Sequence, residues 1–209
     1  MEIKFNIQLN PTVDQLQRLK ALQVNFIEIC NAIMPTVQTS RCWNRVALHH
    51  MVYHSMRMRF PCTGSQMICN AIYSVCRAAR AVLQHPKSPW NIELNPNANL
   101  PMILFLPQSP VFFDRHTLNL KGNRLSMYTL DGRIRFDLNL TKEQQEAFHH
   151  NKLKEVLLVN DQENFSLHFH FGSEDAETNI INAPIAVPKN IQVVENHMQY
   201  NNQSIAMPS

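Results

Sequence analysis

Glycine is scarce in this chain, and no glycine-rich loop occurs. Only four of the 209 residues are glycine, about 2% where soluble proteins average about 7%. A loop that cradles nucleotide phosphates needs glycines at fixed spacing so that backbone amides can approach the anion. None of the four lies in a GxGxxG or GxxxxGK[ST] pattern. The sequence therefore argues against a Walker-type or Rossmann-type nucleotide site.

Acidic residues are absent from a long stretch of the first half. No Asp or Glu occurs between Glu28 and Glu93, yet the stretch carries seven Lys or Arg and four His. Residues 1–86 hold nine Lys/Arg and three acids, which gives a net charge of +6. Residues 87–209 hold ten Lys/Arg and thirteen acids, which gives a net charge of −3. A segment without acids does not repel an anion, and the anion expected first is a nucleic-acid backbone.

Metal-type cysteine pairs and long apolar runs are also missing. The five cysteines form no CxxC, and Cys62, Cys69 and Cys76 recur every seven residues, which predicts small buried side chains on one helix face. Free thiols are typical of a reducing cytosol, and the N-terminus enters a strand pattern instead of a signal peptide. Because the longest apolar run, residues 102–106, is too short to cross a bilayer, we expect a cytoplasmic protein without a membrane partner.

Hydrophobic periodicity predicts one strand and then three helices in the first half. Residues 2–9 alternate apolar and polar side chains, as a half-buried strand does. The helices are expected at 12–35, 43–59 and 63–84, the first one ended by Pro35 and the second with an inner stripe of Val46, His49 or His50, Tyr53 and Met56. Thr12 with Gln15, and Thr63 with Gln66, have the spacing of a capping box. Three successive helices predict a small antiparallel bundle.

The period changes to two after a linker, rich in Pro and Asn, at residues 87–99. A three-stranded meander is expected, with a hairpin at Asp131-Gly132, followed by a short helix at 141–149 and strands at 154–159 and 165–171. The predicted fold class is α+β: an oligonucleotide-binding-like β-barrel formed by residues 1–10 and 100–172, interrupted by a helical unit at 11–86. Residues 173–209 are expected to form a partly disordered tail with two weak strands, PIAV and IQVV.

Several short motifs follow one another in a fixed order. They are Leu48-His49, Tyr53, Arg57 with Phe60, Ala71-Ile72 with Val75, Thr129-Leu130 with Gly132-Arg133, and FSLHFHFGSEDAE from Phe165. This order resembles the TnpB family, the transposon-encoded RNA-guided nucleases related to type V CRISPR effectors, over residues 1–178. The resemblance implies a wedge-like barrel with an inserted helical recognition lobe that holds a guide RNA, its heteroduplex with target DNA and the flanking DNA motif.

One segment departs from the family pattern. Family members continue into a nuclease domain whose first strand carries a metal-binding Asp after a Gly-Val pair, and two-metal cleavage needs further carboxylates. Here Val187 is followed by Pro188 and Lys189, and too little sequence follows for the other two carboxylates. We therefore expect no cleavage by the family mechanism, no catalytic residue and no metal or cofactor.

The candidate nucleic-acid contacts are mainly arginines, which suit bidentate phosphate contacts and base stacking. On the helices they are Arg41, Arg45, Arg57, Arg59, Arg77 and Arg80, together with Tyr53. On the meander they are Arg115, Lys121, Arg124, Arg133 and Arg135. The alternative for all of these Arg and Lys residues is that they are ordinary charged side chains in contact with solvent.

Polar side chains at the start of the third helix are candidates for reading a flanking DNA motif. By the resemblance this helix end faces the duplex, and Ser65, Gln66 and Asn70 are expected there to read base edges. The alternative is simple capping of the helix. Trp43, Tyr53 and Tyr73 are candidates for base stacking, with core packing as the alternative.

Two histidine patterns carry weaker expectations. His168 and His170 share one strand face, as metal ligands do, but the sequence supplies no third ligand. Arg45 and His50 match RxxxxH, a pattern of some metal-independent ribonucleases, which occurs readily by chance in a segment rich in Arg and His.

Three functions therefore compete. The first is a nuclease-deficient TnpB-like protein that binds a structured guide RNA, and target DNA through it. The second is the non-catalytic part of a split RNA-guided endonuclease with a separate nuclease subunit. The third is a basic module that docks an acidic protein.

Overall fold

The computed structural model describes residues 3–94, 96–162, 164–172 and 190–194, and within them the fold is α+β. The helices are α1 (Val13–Ser40), α2 (Arg45–Arg59), α3 (Ser65–Leu83) and α4 (Lys142–His150). The strands are β1 (Ile3–Gln8), β2 (Met102–Phe105), β3 (Val111–Phe113), β4 (Leu118–Lys121), β5 (Arg124–Thr129), β6 (Gly132–Asp137), β7 (Leu153–Asp161), β8 (Asn164–Phe171) and β9 (Ile191–Val194). The predicted weak strand IQVV is therefore confirmed as β9.

Helix α1 begins as the sequence predicts and ends later. The Thr12 hydroxyl accepts from the Gln15 amide, and the Gln15 side chain accepts from the Thr12 amide, so the capping box is confirmed. Pro35 does not end the helix, which continues to Ser40. Met34 and Val37, on either side of Pro35, are buried in the core, and this burial holds the chain helical despite the proline.

Helices α2 and α3 differ from expectation in one feature each. The buried side of α2 is Leu48, Val52 and Met56, and Tyr53 is partly buried against the core. The predicted stripe is therefore confirmed at Met56 and in part at Tyr53, and wrong at the exposed Val46. Helix α3 is confirmed, but its capping box is not, since the N-cap is Gly64 without a side-chain cap. The Thr63 hydroxyl donates instead to the Asn25 side chain of α1, at 2.7 Å.

The strands form three antiparallel sheets among the described residues, not one closed barrel. The four-stranded sheet has the order β1-β8-β7-β3, the three-stranded sheet is the predicted meander β4-β5-β6, and β2 pairs with β9. In the four-stranded sheet Phe5 lies opposite Phe169, and Ile7 opposite Leu167. The α+β class and the meander are therefore confirmed, while the oligonucleotide-binding-like barrel is not.

The meander turn is shifted by one residue from the predicted pair. Thr129 pairs with Gly132, so that Leu130 and Asp131 form the loop. Of the turn residues only Gly132 has a positive φ, 93°. A type I′ turn needs positive φ at both central residues, so this turn is not of that type. The glycine instead takes up the positive φ at the position just after the two loop residues.

Helices and sheets share one hydrophobic core. The same cluster of buried residues includes Phe26 of α1, Val75 of α3, Phe113 of β3 and Phe169 of β8. Helix α1 contacts β2, β3 and β5, and α3 contacts β3. The helices therefore pack directly on the strands instead of standing apart as a lobe.

The segment predicted as a linker, residues 87–99, is a series of hydrogen-bonded turns where it is described. The Ser88 hydroxyl donates to the Val82 carbonyl, and the Asn91 amide donates to the His85 carbonyl at 3.2 Å. Ser88 and Asn91 are buried. These bonds tie the segment to the end of α3.

No helix in the described part of the chain is long and apolar enough to cross a membrane. The predicted strand PIAV, the Val187-Pro188-Lys189 departure and most of the predicted tail lie outside the described residues.

Candidate nucleic-acid interface

Two arginines from different helices approach one tyrosine. Arg45, the first residue of α2, lies over the Tyr73 ring of α3 with 5.1 Å between guanidinium carbon and ring centroid, and Arg77 lies 5.7 Å from the same centroid. The ring also packs against Phe112 of β3, at 4.6 Å between centroids. Guanidinium groups within about 6 Å of an aromatic face are attracted to it. Packing against Phe112 therefore holds the Tyr73 ring in place, and the ring in turn attracts the guanidinium groups of Arg45 and Arg77.

Arg77 also forms an ion pair that the sequence did not predict. Its guanidinium contacts the Glu155 carboxylate of β7, whose other oxygen lies 2.8 Å from Nδ1 of His170 on β8. Burial alone would raise the pKa of Glu155, but the His170 hydrogen bond and the Arg77 charge outweigh it and hold that pKa below its usual value. Arg77 thus receives its counter-charge from outside the acid-free stretch.

Two other predicted contacts are engaged by backbone oxygens. Arg41 caps α1 in the left-handed region, with φ 52°, and donates to the carbonyls of Ala98, at 3.0 Å, and Pro96, at 2.6 Å. Arg57 donates to the Thr63 carbonyl. A carbonyl orients a guanidinium without neutralising it, so both residues keep their full positive charge.

Arg59 and Arg80 are the least constrained of the helical arginines. Arg59 is exposed, with its guanidinium carbon 5.5 Å from the Phe60 ring centroid. Arg80 is exposed on α3, and its side chain forms no hydrogen bond or ion pair with any residue that the structure describes. Both are free to turn toward a ligand.

The predicted meander cations fall into two kinds. Arg133 donates to the hydroxyl and carbonyl of Ser126, at 2.9 and 2.7 Å, and Arg124 lies 3.5 Å from Asp137 with both side chains mostly exposed. Arg115, Lys121 and Arg135 are exposed. The meander therefore carries its own acid, in contrast to α2 and α3.

The start of α3 is covered by the meander. The Gly64 amide donates to the Tyr128 hydroxyl at 2.7 Å, and a Cβ on Gly64 would lie 3.0 Å from the Tyr128 ring. Tyr128 belongs to β5, so the meander packs directly on this helix end. The expectation that the helix end faces a duplex therefore does not fit this packing.

Two of the three predicted base-reading residues have structural partners. Asn70 is buried, and its amide donates to the Phe112 carbonyl and the Thr117 hydroxyl, each at 3.2 Å. Gln66 donates to Asp114 at 2.7 Å, whereas Ser65 is exposed. The expectation that Asn70 reads a base was wrong, because its side chain anchors α3 to the corner between β3 and β4.

The predicted aromatic contacts differ in burial. Trp43 is buried in the core. Tyr53 is half-buried and stacks on His49, with 4.6 Å between centroids and 19° between ring planes. Tyr73 is half-buried, with both guanidinium groups near its ring. Of the three, only Tyr53 and Tyr73 are therefore partly exposed to solvent.

The two strand histidines point to the outer face of the four-stranded sheet, as do Lys4 and Asn6 opposite them. His168 Nε2 lies 3.1 Å from the Ser166 hydroxyl. Burial, reinforced by the neighbouring His170, lowers the pKa of His168. Ser166 and His168 line an open cleft of about 760 Å³ at the end of β1. No group of three His, Cys, Asp or Glu within the described part of the chain could hold a metal ion.

The RxxxxH pair does not form a site. Arg45 lies over Tyr73, whereas His50 is exposed and contacts the His49 ring edge-on at 5.9 Å. Five residues turn an α-helix by about 500°, which leaves the two side chains on different sides of α2.

Comparison with known proteins finds no match: no protein-family model fits the chain, and no curated protein is similar to it.

Proposed function

We propose that this chain is an RNA-binding protein of TnpB-like organisation that holds the phosphate backbone of a structured guide RNA on its acid-free helical surface and does not cut nucleic acid. This surface consists of Tyr73 and of the α2 and α3 arginines that meet no carboxylate in the described part of the chain, namely Arg45, Arg57, Arg59 and Arg80. Through the guide RNA the protein would also reach target DNA, and the biological role would be regulation, including regulation of a mobile element.

The proposal depends on one observation, the charge that remains after folding. Of the six arginines in the acid-free stretch, only Arg77 lies within ion-pair distance of a carboxylate in the described part of the chain. The other five are Arg41, Arg45, Arg57, Arg59 and Arg80. Folding often places an acid from a distant part of the sequence beside a surface cation, yet among these six arginines it does so only for Arg77 in the described part of the chain. A surface of uncompensated guanidinium groups favours a polyanion.

The Tyr73 arrangement supports RNA over a simple anion. The half-buried Tyr73 ring beside Arg45, which meets no carboxylate in the described part of the chain, offers stacking and charge together, which single-stranded and looped nucleic acids use. The proposed absence of cleavage rests on the sequence, where Pro188 stands at the position of the family's Asp. A nuclease subunit in another chain would make this protein the binding half of a split enzyme.

The decisive experiment measures RNA affinity against salt for matched double variants. Arg59→Ala with Arg80→Ala removes two exposed charges that form no backbone hydrogen bond. Lys142→Ala with Lys154→Ala removes two exposed charges elsewhere and is the control. For a hairpin RNA, the slope of log K against log salt should fall in magnitude by about 0.7 to 0.9 per lost contact in the first variant, and stay unchanged in the control.

Equal slopes for the wild type and both variants would refute the proposed surface. RNA recovered with the protein from its native host should be a discrete species, and its absence together with no hairpin binding near physiological salt would refute the function itself. Cleavage of the bound RNA or DNA in the presence of Mg²⁺ would refute the non-cutting part alone.

A further inference from the structure

The outward side of α2 carries large apolar side chains in water. Val46 is 67% exposed, Met51 52% and Met58 84%. Val46 and Met58 belong to one row of residues four apart, with His50 and His54 between them, and Met51 lies beside Met58 one heptad earlier. We call these five residues the α2 outer face. It lies opposite Leu48, Val52 and Met56, which bury the helix in the core.

This concentration of apolar surface is unusual for one short helix. Scattered exposed hydrophobic residues are normal on a protein surface, but clustered ones mark interaction sites. Three of the seven large exposed hydrophobic residues in the described part of the chain lie on the 15 residues of α2. The solvated side of a stable helix is normally rich in charged pairs, and α2 has no acid at all.

The charge near the α2 outer face indicates which kind of molecule fits on it. Arg57 lies on the outer side of the last turn of α2 and Arg59 ends the helix next to Met58, and neither meets a carboxylate among the described residues, whereas Arg45 is turned onto Tyr73 of α3. A second copy of this chain would oppose these cations with the same cations. The side chains of Met51 and Met58 offer a phosphate group neither a positive charge nor a hydrogen-bond donor. A protein helix with an apolar stripe and flanking carboxylates matches both properties of the surface.

We propose that the α2 outer face docks an acidic amphipathic helix of a partner protein. Methionines suit this role because their unbranched, polarisable side chains adapt to the partner. The apolar stripe of the partner would cover Val46, Met51 and Met58, and its carboxylates would meet Arg57 and Arg59. This site leaves Tyr73 and Arg80 uncovered but shares Arg57 and Arg59 with the proposed RNA surface, so RNA and the partner would compete for these two arginines.

The test uses the full chain and a phage-displayed library of random 16-residue peptides. Peptides selected on the wild type are measured by fluorescence anisotropy against Met51→Gln with Met58→Gln. The control is Val24→Gln, which removes a 57% exposed valine from α1. We expect acid-rich peptides with apolar residues three and four apart, binding about tenfold or more weakly to the double variant and unchanged to the control.

RNA affinity and the urea midpoint should be the same in all three proteins, which separates this site from the proposed function and from misfolding. Selected peptides that bind the double variant as well as the wild type would overturn the proposal, as would enrichment of basic peptides. A wild-type dimer in sedimentation that Met58→Gln dissociates would identify a second copy as the occupant instead. Met58-dependent binding to anionic vesicles would identify a lipid surface.

Discussion

Arg77 differs from the other arginines of the acid-free stretch, because folding gives it a buried carboxylate. The Glu155 side chain is 11% exposed and receives both Arg77 and His170. A carboxylate held this way stabilises the fold only while ionised. Arg77 therefore belongs with the structural residues, and Arg59 and Arg80 with the candidate ligand contacts.

Glu155→Gln should lower the free energy of unfolding at neutral pH by about 1 to 3 kcal/mol, since it removes two charge-assisted contacts in a shielded position. The measurement is urea unfolding, with the exposed Glu146→Gln on α4 as the control that leaves stability unchanged. No loss in Glu155→Gln would contradict the structural role of the pair.

The same variant tests the pKa of Glu155. Its folded-state pKa lies below the ordinary value of 4.5, so its contribution is present above pH 4.5 and is lost as the pH falls through the folded-state pKa. The stability difference between wild type and Glu155→Gln should therefore shrink on acidification, and a constant difference down to the folded-state pKa would contradict this.

Helix α1 shows how packing overrides a local signal. A proline inside a helix removes one hydrogen bond and clashes with the carbonyl four residues earlier. Here the hydroxyls of Thr39 and Ser40 donate to the carbonyls of Pro35, at 2.9 Å, and Thr36, at 2.6 Å. The helix continues because its buried face continues, and sequence periodicity cannot weigh that burial against the proline.

Pro35→Ala should stabilise the protein by about 1 to 2 kcal/mol. Alanine restores the hydrogen bond to the Asn31 carbonyl, and a part of that gain is offset because the unfolded chain becomes more flexible. The control is Pro107→Ala in an exposed turn, where only the unfolded-state effect acts and stability should fall by about 0.4 to 1 kcal/mol. Thermal unfolding measures both, and destabilisation by Pro35→Ala would show that the proline is accommodated without strain.

The whole molecule has one core that joins segments far apart in sequence. The helical unit at 11–86 was expected as a separate lobe, but α1 buries its apolar face against β2 and β3 as well as against α3. Asn31 of α1 donates to the Phe105 carbonyl and accepts from its amide, at 3.0 and 2.8 Å. Such contacts tie the helices to the sheets.

The full chain should therefore unfold in a single transition when followed by far-UV circular dichroism and by tryptophan fluorescence from Trp43 and Trp90. A fragment of residues 11–86 should show no cooperative unfolding, because the surface that α1 buries against the strands would be exposed to water. A fragment that unfolds cooperatively, with the midpoint of the full chain, would show that the helices form an independent lobe.

Local sequence signals predicted β1, the three long helices, the meander, α4 and the strands β7, β8 and β9, but not how the last three strands pair. Their signals are alternation, helical period and capping by Thr12 with Gln15, and all of these act between residues a few positions apart. The sequence also determined the absence of acid from Glu28 to Glu93. The arrangement of the sheets, the burial of Asn70 and the set of arginines without a carboxylate partner depend on tertiary contacts. Arg77 and Glu155 are 78 residues apart, and no local pattern reports a contact over that distance.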